Sequence, residues 1–333
     1  MNDSSTTKYR VYMIHSWIHN VNEMALKLCI DDPELVSHMI WDPDDPQYIF
    51  VSEQIFLYQD KLDDYVRLFR KSEKESDARI FIMVDHECLM PDLNLFDYAI
   101  CFDNRIKSDR IGRIPLLMFF NSSIVNINND LTLEDAHALY HVKEYCNFMY
   151  TNPHAPSIRD NLYYKLNEYK PVASTGHHLH NTDIDPEDRH PDWHLESILI
   201  KSRYRFSIAC ENACYPGYTT EKLLSSFQAH TVPIYWGNPD VSLEYNPDAF
   251  INASDYKDLN DLLDVVKDID NNEDKWCDLV VKPYIMESQL QKVISDMKQY
   301  QQFINSIFNQ NIDDAIRRPI GYWPEIYKQF AMR

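Results

Sequence analysis

Apolar residues arrive along the first half of the chain in short runs rich in β-branched and aromatic side chains. These are Tyr9 to Ile14, Tyr48 to Val51, Arg79 to Val84, Tyr98 to Phe102 and Ile114 to Phe120. Runs of this length bounded by turn-forming residues read as buried strands. Between the second and third, the segment Glu53 to Lys71 sets Ile55, Tyr58, Leu62, Val66 and Phe69 three or four residues apart, the spacing of one helix face. A soft break covers Asn126 to Glu134. Beyond it the pattern predicts strand Phe148 to Tyr150, helix Ala155 to Tyr169, strand Val172 to Ser174 and helix Leu195 to Ser202. Strand Arg205 to Cys210, helix Thr219 to Ala229, strand Val232 to Trp236 and helices Leu259 to Asp268 and Glu287 to Phe308 follow, with a tail from Arg317 to Arg333. Strand and helix alternate, so the expected class is α/β with parallel βαβ units. Two such units joined over residues 126–144 would leave a cleft between them, the usual ligand site of open parallel sheets.

Composition narrows the chemistry. The 333 residues include five glycines, where average usage of about 7% predicts roughly 23. Gly112, Gly176, Gly217, Gly237 and Gly321 never come closer than 20 residues. Phosphate loops of the G-x-G-x-x-G or G-x-x-x-x-G-K-[ST] kind need clustered glycines, so a P-loop NTPase and a glycine-fingerprint dehydrogenase are both excluded. With 52 acids against 32 bases the net charge is -20, a field that repels nucleic acid. An anionic ligand therefore needs a local cluster of Arg and Lys. Seven scattered cysteines with no C-x-x-C pair read as reduced thiols of a cytoplasmic protein. The polar start, Met1 to Lys8, lacks the pattern of a leader, and no run of about 18 apolar residues occurs.

Residues 203–237 carry the densest chemistry. A buried strand ends at Glu211 and Asn212, a loop with Pro216 and Gly217 follows, and a helix begins near Thr219. A helix start offers free N–H groups and partial positive charge to an anion, with Lys222 beside it. On spacing alone, Glu221 reads equally as an acid favoured by the helix dipole and Lys222 as its solvated partner.

The segment resembles the donor-binding motif of the α-1,3-fucosyltransferases of glycosyltransferase family 10. The matching positions are Phe206, Glu211, Asn212, Tyr218, Thr220, Glu221, Lys222, Ala229, Val232, Pro233 and Gly237. Cys146 to Pro156 with Arg159 and Asp160, and Glu87 followed by Pro91 to Ile100, resemble two further stretches of bacterial members. Cys210 and Thr219 depart from the motif, where the family usually has Phe and then Val or Ile. The resemblance implies a GT-B fold of two facing Rossmann-like domains. It places acceptor binding in residues 1–135 and GDP-fucose binding in 136–310, with a tail, 311–333, packing back across both.

The implied reaction is inverting transfer of L-fucose from GDP-fucose to a hydroxyl of an N-acetyllactosamine-type or related oligosaccharide, in α-1,3 linkage, with no cofactor and no obligatory metal. Glu87 is the implied base on the acceptor hydroxyl, although a gap in the match would put Asp85 there instead. Arg159 and Lys222 are implied at the diphosphate, Asn212, Tyr218 and Thr220 along the donor, and Glu221 opposite the fucose ring. The alternatives are a same-fold transferase using another GDP-sugar and an inactive glycan-binding protein.

Other signals weigh less. His190 and His194 have the i, i+4 spacing of a zinc pair, but Pro186 and Pro191 interrupt a helix there and no Cys is near. The loop from His177 to His194 is a candidate contact to donor or acceptor, with His178 or His180 near the diphosphate. Asp42-Pro43-Asp44, Asp183-Ile184-Asp185 and Asp268-Ile269-Asp270 fit the D-x-D pattern loosely, as chance allows among 52 acids. The aromatic, basic tail offers a second reading as a peripheral contact to the inner face of a membrane.

Overall fold

The computed structural model describes residues 8–74, 78–120, 130–186, 193–319, 326 and 329–330. Contacts divide the chain into two units, residues 1–122 with 294–333 and residues 123–293.

The first unit is built on six strands, β1 (Tyr9–Ile14), β2 (Met39–Trp41), β3 (Tyr48–Ser52), β4 (Ile80–Val84), β5 (Tyr98–Cys101) and β6 (Ile111–Arg113). They lie in the order β2-β1-β3-β4-β5-β6, and every neighbouring pair is parallel. β3 and β4 are buried at all positions, as central strands covered on both faces must be. Helices α1 (Val21–Lys27) and α2 (Pro33–Ser37) connect β1 to β2, capped by the side chains of Asn20 and Asp32. Helix α3 (Gln59–Lys74) follows a 3-10 turn over Glu53–Phe56, and its Tyr65, Leu68 and Phe69 pack with Phe81 and Met83 of β4. The expected strand Ile114 to Phe120 is instead the helix α4 (Leu116–Phe120). Pro115 supplies the preset φ of a helix start, its carbonyl accepts from Met118 N at 2.9 Å, and a short apolar run has no period that separates strand from helix.

The second unit begins with α5 (Leu133–Val142), within residues 126–144 expected to join the two units, with Thr132 as its cap. Then come β7 (Glu144–Phe148), α6 (Ile158–Asn167), β8 (Val172–Ser174), α7 (Trp193–Lys201), β9 (Tyr204–Cys210), α8 (Glu221–Gln228), β10 (Val232–Trp236) and β11 (Ile251–Asn252). The sheet order is β11-β10-β9-β7-β8, again parallel throughout. The chain leaves β7 for β8 on one side and returns to β9 on the other. The carboxyl ends of β7 and β9 therefore bracket a switch point, where parallel sheets open a crevice. Helices α9 (Leu259–Asp270) and α10 (Glu273–Val280) complete this unit, Trp276 lying in its core.

The long helix α11 (Glu287–Phe308) contains the division between units at residues 293 and 294. The second domain was expected to run to 310, but the last two-thirds of this helix belongs with the first unit. Tyr300 donates to the Leu28 carbonyl at 2.6 Å, and Phe308 lies 4.4 Å from the Tyr48 ring. After α12 (Ile312–Ala315), Arg318 pairs with Asp97, whose carboxylate also accepts from Phe81 N, Arg317 N and Arg318 N. The described part of the expected tail thus packs on the first sheet, and most of residues 320–333 lies outside the described residues.

Candidate active site

A cavity of about 340 Å³ opens at the carboxyl ends of β7 and β9. Its walls come from the segment after β7, from Gly176 and His177 after β8, from α7, and from the loop between β9 and α8. Four of the residues expected to hold a donor, Arg159, Asn212, Glu221 and Lys222, line it together.

Arg159, on the first turn of α6, is 1% exposed. Its guanidinium stacks on the Tyr150 ring at 4.3 Å, bonds the Asn152 carbonyl, and reaches Asn212 Oδ1 at 3.5 Å. Its Nε finds no hydrogen-bond partner among the described residues. Tyr150 is fixed in turn, since its hydroxyl donates to the carbonyl of Ile208 at 2.9 Å and accepts from Cys210 N at 2.6 Å. The sequence offered this tyrosine only as one position of a motif. The structure makes it the platform that ties the end of β7 to the end of β9 and holds a charged fork flat.

Glu211 ends β9 fully buried. It accepts from Thr220 N at 2.8 Å and Thr220 Oγ1 at 2.7 Å, and the Lys222 ammonium stands 3.5 Å away. Burial lifts its pKa to about 7 against the pull of Lys222. Glu211 therefore braces the start of α8 rather than facing a ligand. Thr220, expected along the donor, is occupied by this brace, and Tyr218, expected beside it, is buried; neither lines the cavity. Lys222 also lies 3.3 Å from Glu221.

Two glycines shape the same loop. Gly217 has φ 82°, a left-handed value that side chains disfavour, and its N–H donates to Asn238 Oδ1 at 2.9 Å. A Cβ at Gly237 would stand 2.4 Å from Glu211 Cγ, so the strand end can pass the brace only without a side chain.

In the histidine-rich loop His177 lines the cavity, His178 Nε2 meets both Asp160 oxygens at 3.0 Å, and His180 bonds the Gly176 carbonyl. His178 and His180 thus have protein partners, and His190 lies outside the described residues. Among the described residues no three His, Cys, Asp or Glu side chains gather as a metal site.

The first unit has a polar cluster at its own switch point, the carboxyl ends of β1, β3 and β4. His15 faces Gln54 at 3.3 Å and His86 faces Glu53 at 3.4 Å, and burial lowers the pKa of both histidines, His15 to about 4. Glu87 is exposed just past β4. Asp85 is fully buried; one oxygen accepts from Glu87 N at 3.0 Å and the other has no partner among the described residues. Burial lifts its pKa to about 8, with Glu53 and Glu87 adding to the rise. A buried carboxyl with an orphaned oxygen and a near-neutral pKa at a strand end is the kind of group that active sites hold.

Residues 141–281 match the family model described as glycosyltransferase family 10 (fucosyltransferase), C-term. The chain is 29% identical over 232 residues to the alpha-(1,3)-fucosyltransferase FucT of Helicobacter pylori, a match covering 61% of this chain and 46% of the relative. It is 28% identical over 220 residues to the GDP-fucose protein O-fucosyltransferase 3 of Gallus gallus, covering 63% and 42%. The matches thus span less than half of either relative. Among solved structures, an α1,3-fucosyltransferase superposes with a TM-score of 0.63 at 20% identity, covering 96% of this chain and 95% of that one. Its complex with GDP-fucose gives 0.59 at 20% identity over 91% and 93%. The likeness shows the fold, two parallel-sheet units of the GT-B type.

Proposed function

We propose that this chain, whose residues 141–281 match the model of glycosyltransferase family 10, is an inverting fucosyltransferase. It moves L-fucose from GDP-fucose to a hydroxyl of an N-acetyllactosamine-type or related oligosaccharide, in α-1,3 linkage. The observation that carries this reading is the cavity at the β7 and β9 ends, where Arg159 of α6, Asn212 after β9 and Glu221 and Lys222 at the start of α8 meet. Against a net charge of -20, cations placed at one cavity suit an anionic ligand, and a nucleoside diphosphate sugar is such a ligand.

In a single displacement the acceptor hydroxyl gives its proton to a carboxylate as its oxygen bonds the anomeric carbon. The bond from that carbon to the diphosphate oxygen breaks on the opposite face, and its electron pair leaves with GDP. Arg159 and Lys222 neutralise the departing charge, and the Glu221 carboxylate favours the positive charge that develops on the sugar ring. No step requires a metal ion. Of the two carboxyls after β4, Asp85 fits the base better than Glu87, because a base works best with a pKa near the operating pH. Asp85→Asn should lower kcat/KM by at least about a hundredfold, with Glu87→Gln losing far less. The wild-type rate should rise with pH through about 8 as Asp85 ionises. The opposite ranking of the two variants would return the role to Glu87.

A hydroxyl on a polypeptide is a second reading of the acceptor, favoured by the match to a protein O-fucosyltransferase. The deciding experiment is a mass-spectrometric screen with GDP-fucose, with GDP-mannose as the competing donor, against oligosaccharides and folded polypeptides. Addition of a deoxyhexose is expected. Transfer from GDP-mannose instead would change the donor, and glycan binding without transfer would mark a lectin-like protein.

A further inference from the structure

Arg159 and Lys222 do not carry their charge at the cavity alone. Lys222 already faces Glu211 at 3.5 Å and Glu221 at 3.3 Å, and Arg159 Nε lies 3.8 Å from Asp160. Each cation has a carboxylate nearby, so part of the charge offered to an entering diphosphate is already offset.

A third cation lines the same cavity. Lys201 is the last residue of α7 and is 6% exposed. Its ammonium donates to Ser225 Oγ at 2.5 Å, one turn beyond Lys222 on α8, which uses one of its three N–H groups. Among the described residues no carboxylate lies within 4.0 Å of it. A buried ammonium without a counter-ion is costly, and ordinary cores do not hold one there.

We infer that Lys201 is a further donor-binding residue, whose ammonium turns to the diphosphate of the bound nucleotide sugar and adds positive charge to that of Arg159 and Lys222, each of which also faces a carboxylate. This rests on the reading of the cavity as a GDP-sugar site. Burial holds the Lys201 pKa down to about 8. The charged groups facing it are Lys222 and Glu221 of α8, Glu211 at the end of β9, and His194 on its own helix. Glu221 and Glu211 favour its protonation and Lys222 opposes it. An anion placed beside it favours protonation further, so nucleotide binding near pH 8 draws a proton from solution.

The test is calorimetric titration of the full chain with GDP and with guanosine, at pH 7 and pH 9 and in two buffers of different ionisation heat. Lys201→Met is expected to weaken GDP binding about tenfold or more, a typical loss for a hydrogen bond to a charged group, while guanosine binding is unchanged. Lys201→Arg, which stays charged, should keep most of the GDP affinity at pH 9, where the wild type loses its own. Buffer-dependent heats at pH 8 should vanish in both variants. Wild-type GDP affinity in Lys201→Met, or equal losses for GDP and guanosine, overturns the inference and leaves a packing role. A wild-type protein that binds guanosine as tightly as GDP overturns the donor reading itself.

Discussion

Glu211 shows how a residue of a binding motif can serve the fold. Its pKa of about 7 lies above the ordinary carboxyl value of 4.5, so the folded protein favours the protonated form. The stability it contributes is complete below pH 4.5 and is lost as pH rises through about 7. Glu211→Gln keeps a carbonyl for Thr220 and cannot ionise. The melting temperature of the wild type relative to this variant should therefore fall between pH 5 and pH 7.5, and parallel curves would show that Glu211 does not titrate in the fold. Tyr150 divides into two roles that substitutions can separate. Tyr150→Phe loses the bonds to the carbonyl of Ile208 and to Cys210 N, for about 1–3 kcal/mol of stability in chemical denaturation. It retains the ring under Arg159, so GDP affinity should change by less than about threefold. Tyr150→Leu should weaken GDP binding more, since Arg159 loses its platform as well.

The element most exposed to small changes is the loop from β9 into α8. Gly237→Ala drives a methyl group into the Glu211 side chain at the strand end, an overpacking of about 1–3 kcal/mol. Because the displaced group is the brace of α8, GDP binding should fall along with the melting temperature. Stability lost with affinity intact would show that the brace does not shape the cavity. Most strands were legible from their apolar runs, and α3, α8 and α11 from their spacing. What the pattern missed has physical causes. The strand β2 has three residues and α1 and α2 seven and five, too short for a period to register, and their caps Asn20 and Asp32 were the available signal. The run after Pro115 could not declare itself helix or strand. The cavity-lining residues Arg159, Asn212, Glu221 and Lys222 stood out through a motif, whereas Lys201 did not, because a lysine at a helix end ordinarily reads as a solvated partner of the dipole.

For the whole molecule, the consequence of greatest practical weight is that the first unit is discontinuous in sequence. It depends on the second part of α11 and on Arg318, which neutralises the buried Asp97 just before β5. A fragment of residues 1–135 should fail to give a cooperative melt, while the same fragment joined by a flexible linker to residues 294–319 should regain one. Asp97→Asn in the full chain should lose about 3–5 kcal/mol in chemical denaturation, since Arg318 is then left buried without its counter-charge.

The sequence by itself determined the α/β class, the exclusion of glycine-loop nucleotide folds and the segment that brings Asn212, Glu221 and Lys222 to the cavity. These follow from local pattern and composition, which need no knowledge of distant neighbours. The tertiary structure decided which carboxyl after β4 is buried, that Glu211 is a brace, that Lys201 reaches the cavity and that α11 completes the first unit. Those depend on strand order and on which helix covers which face, because burial and charge pairing are properties of side chains that meet only after the chain has folded.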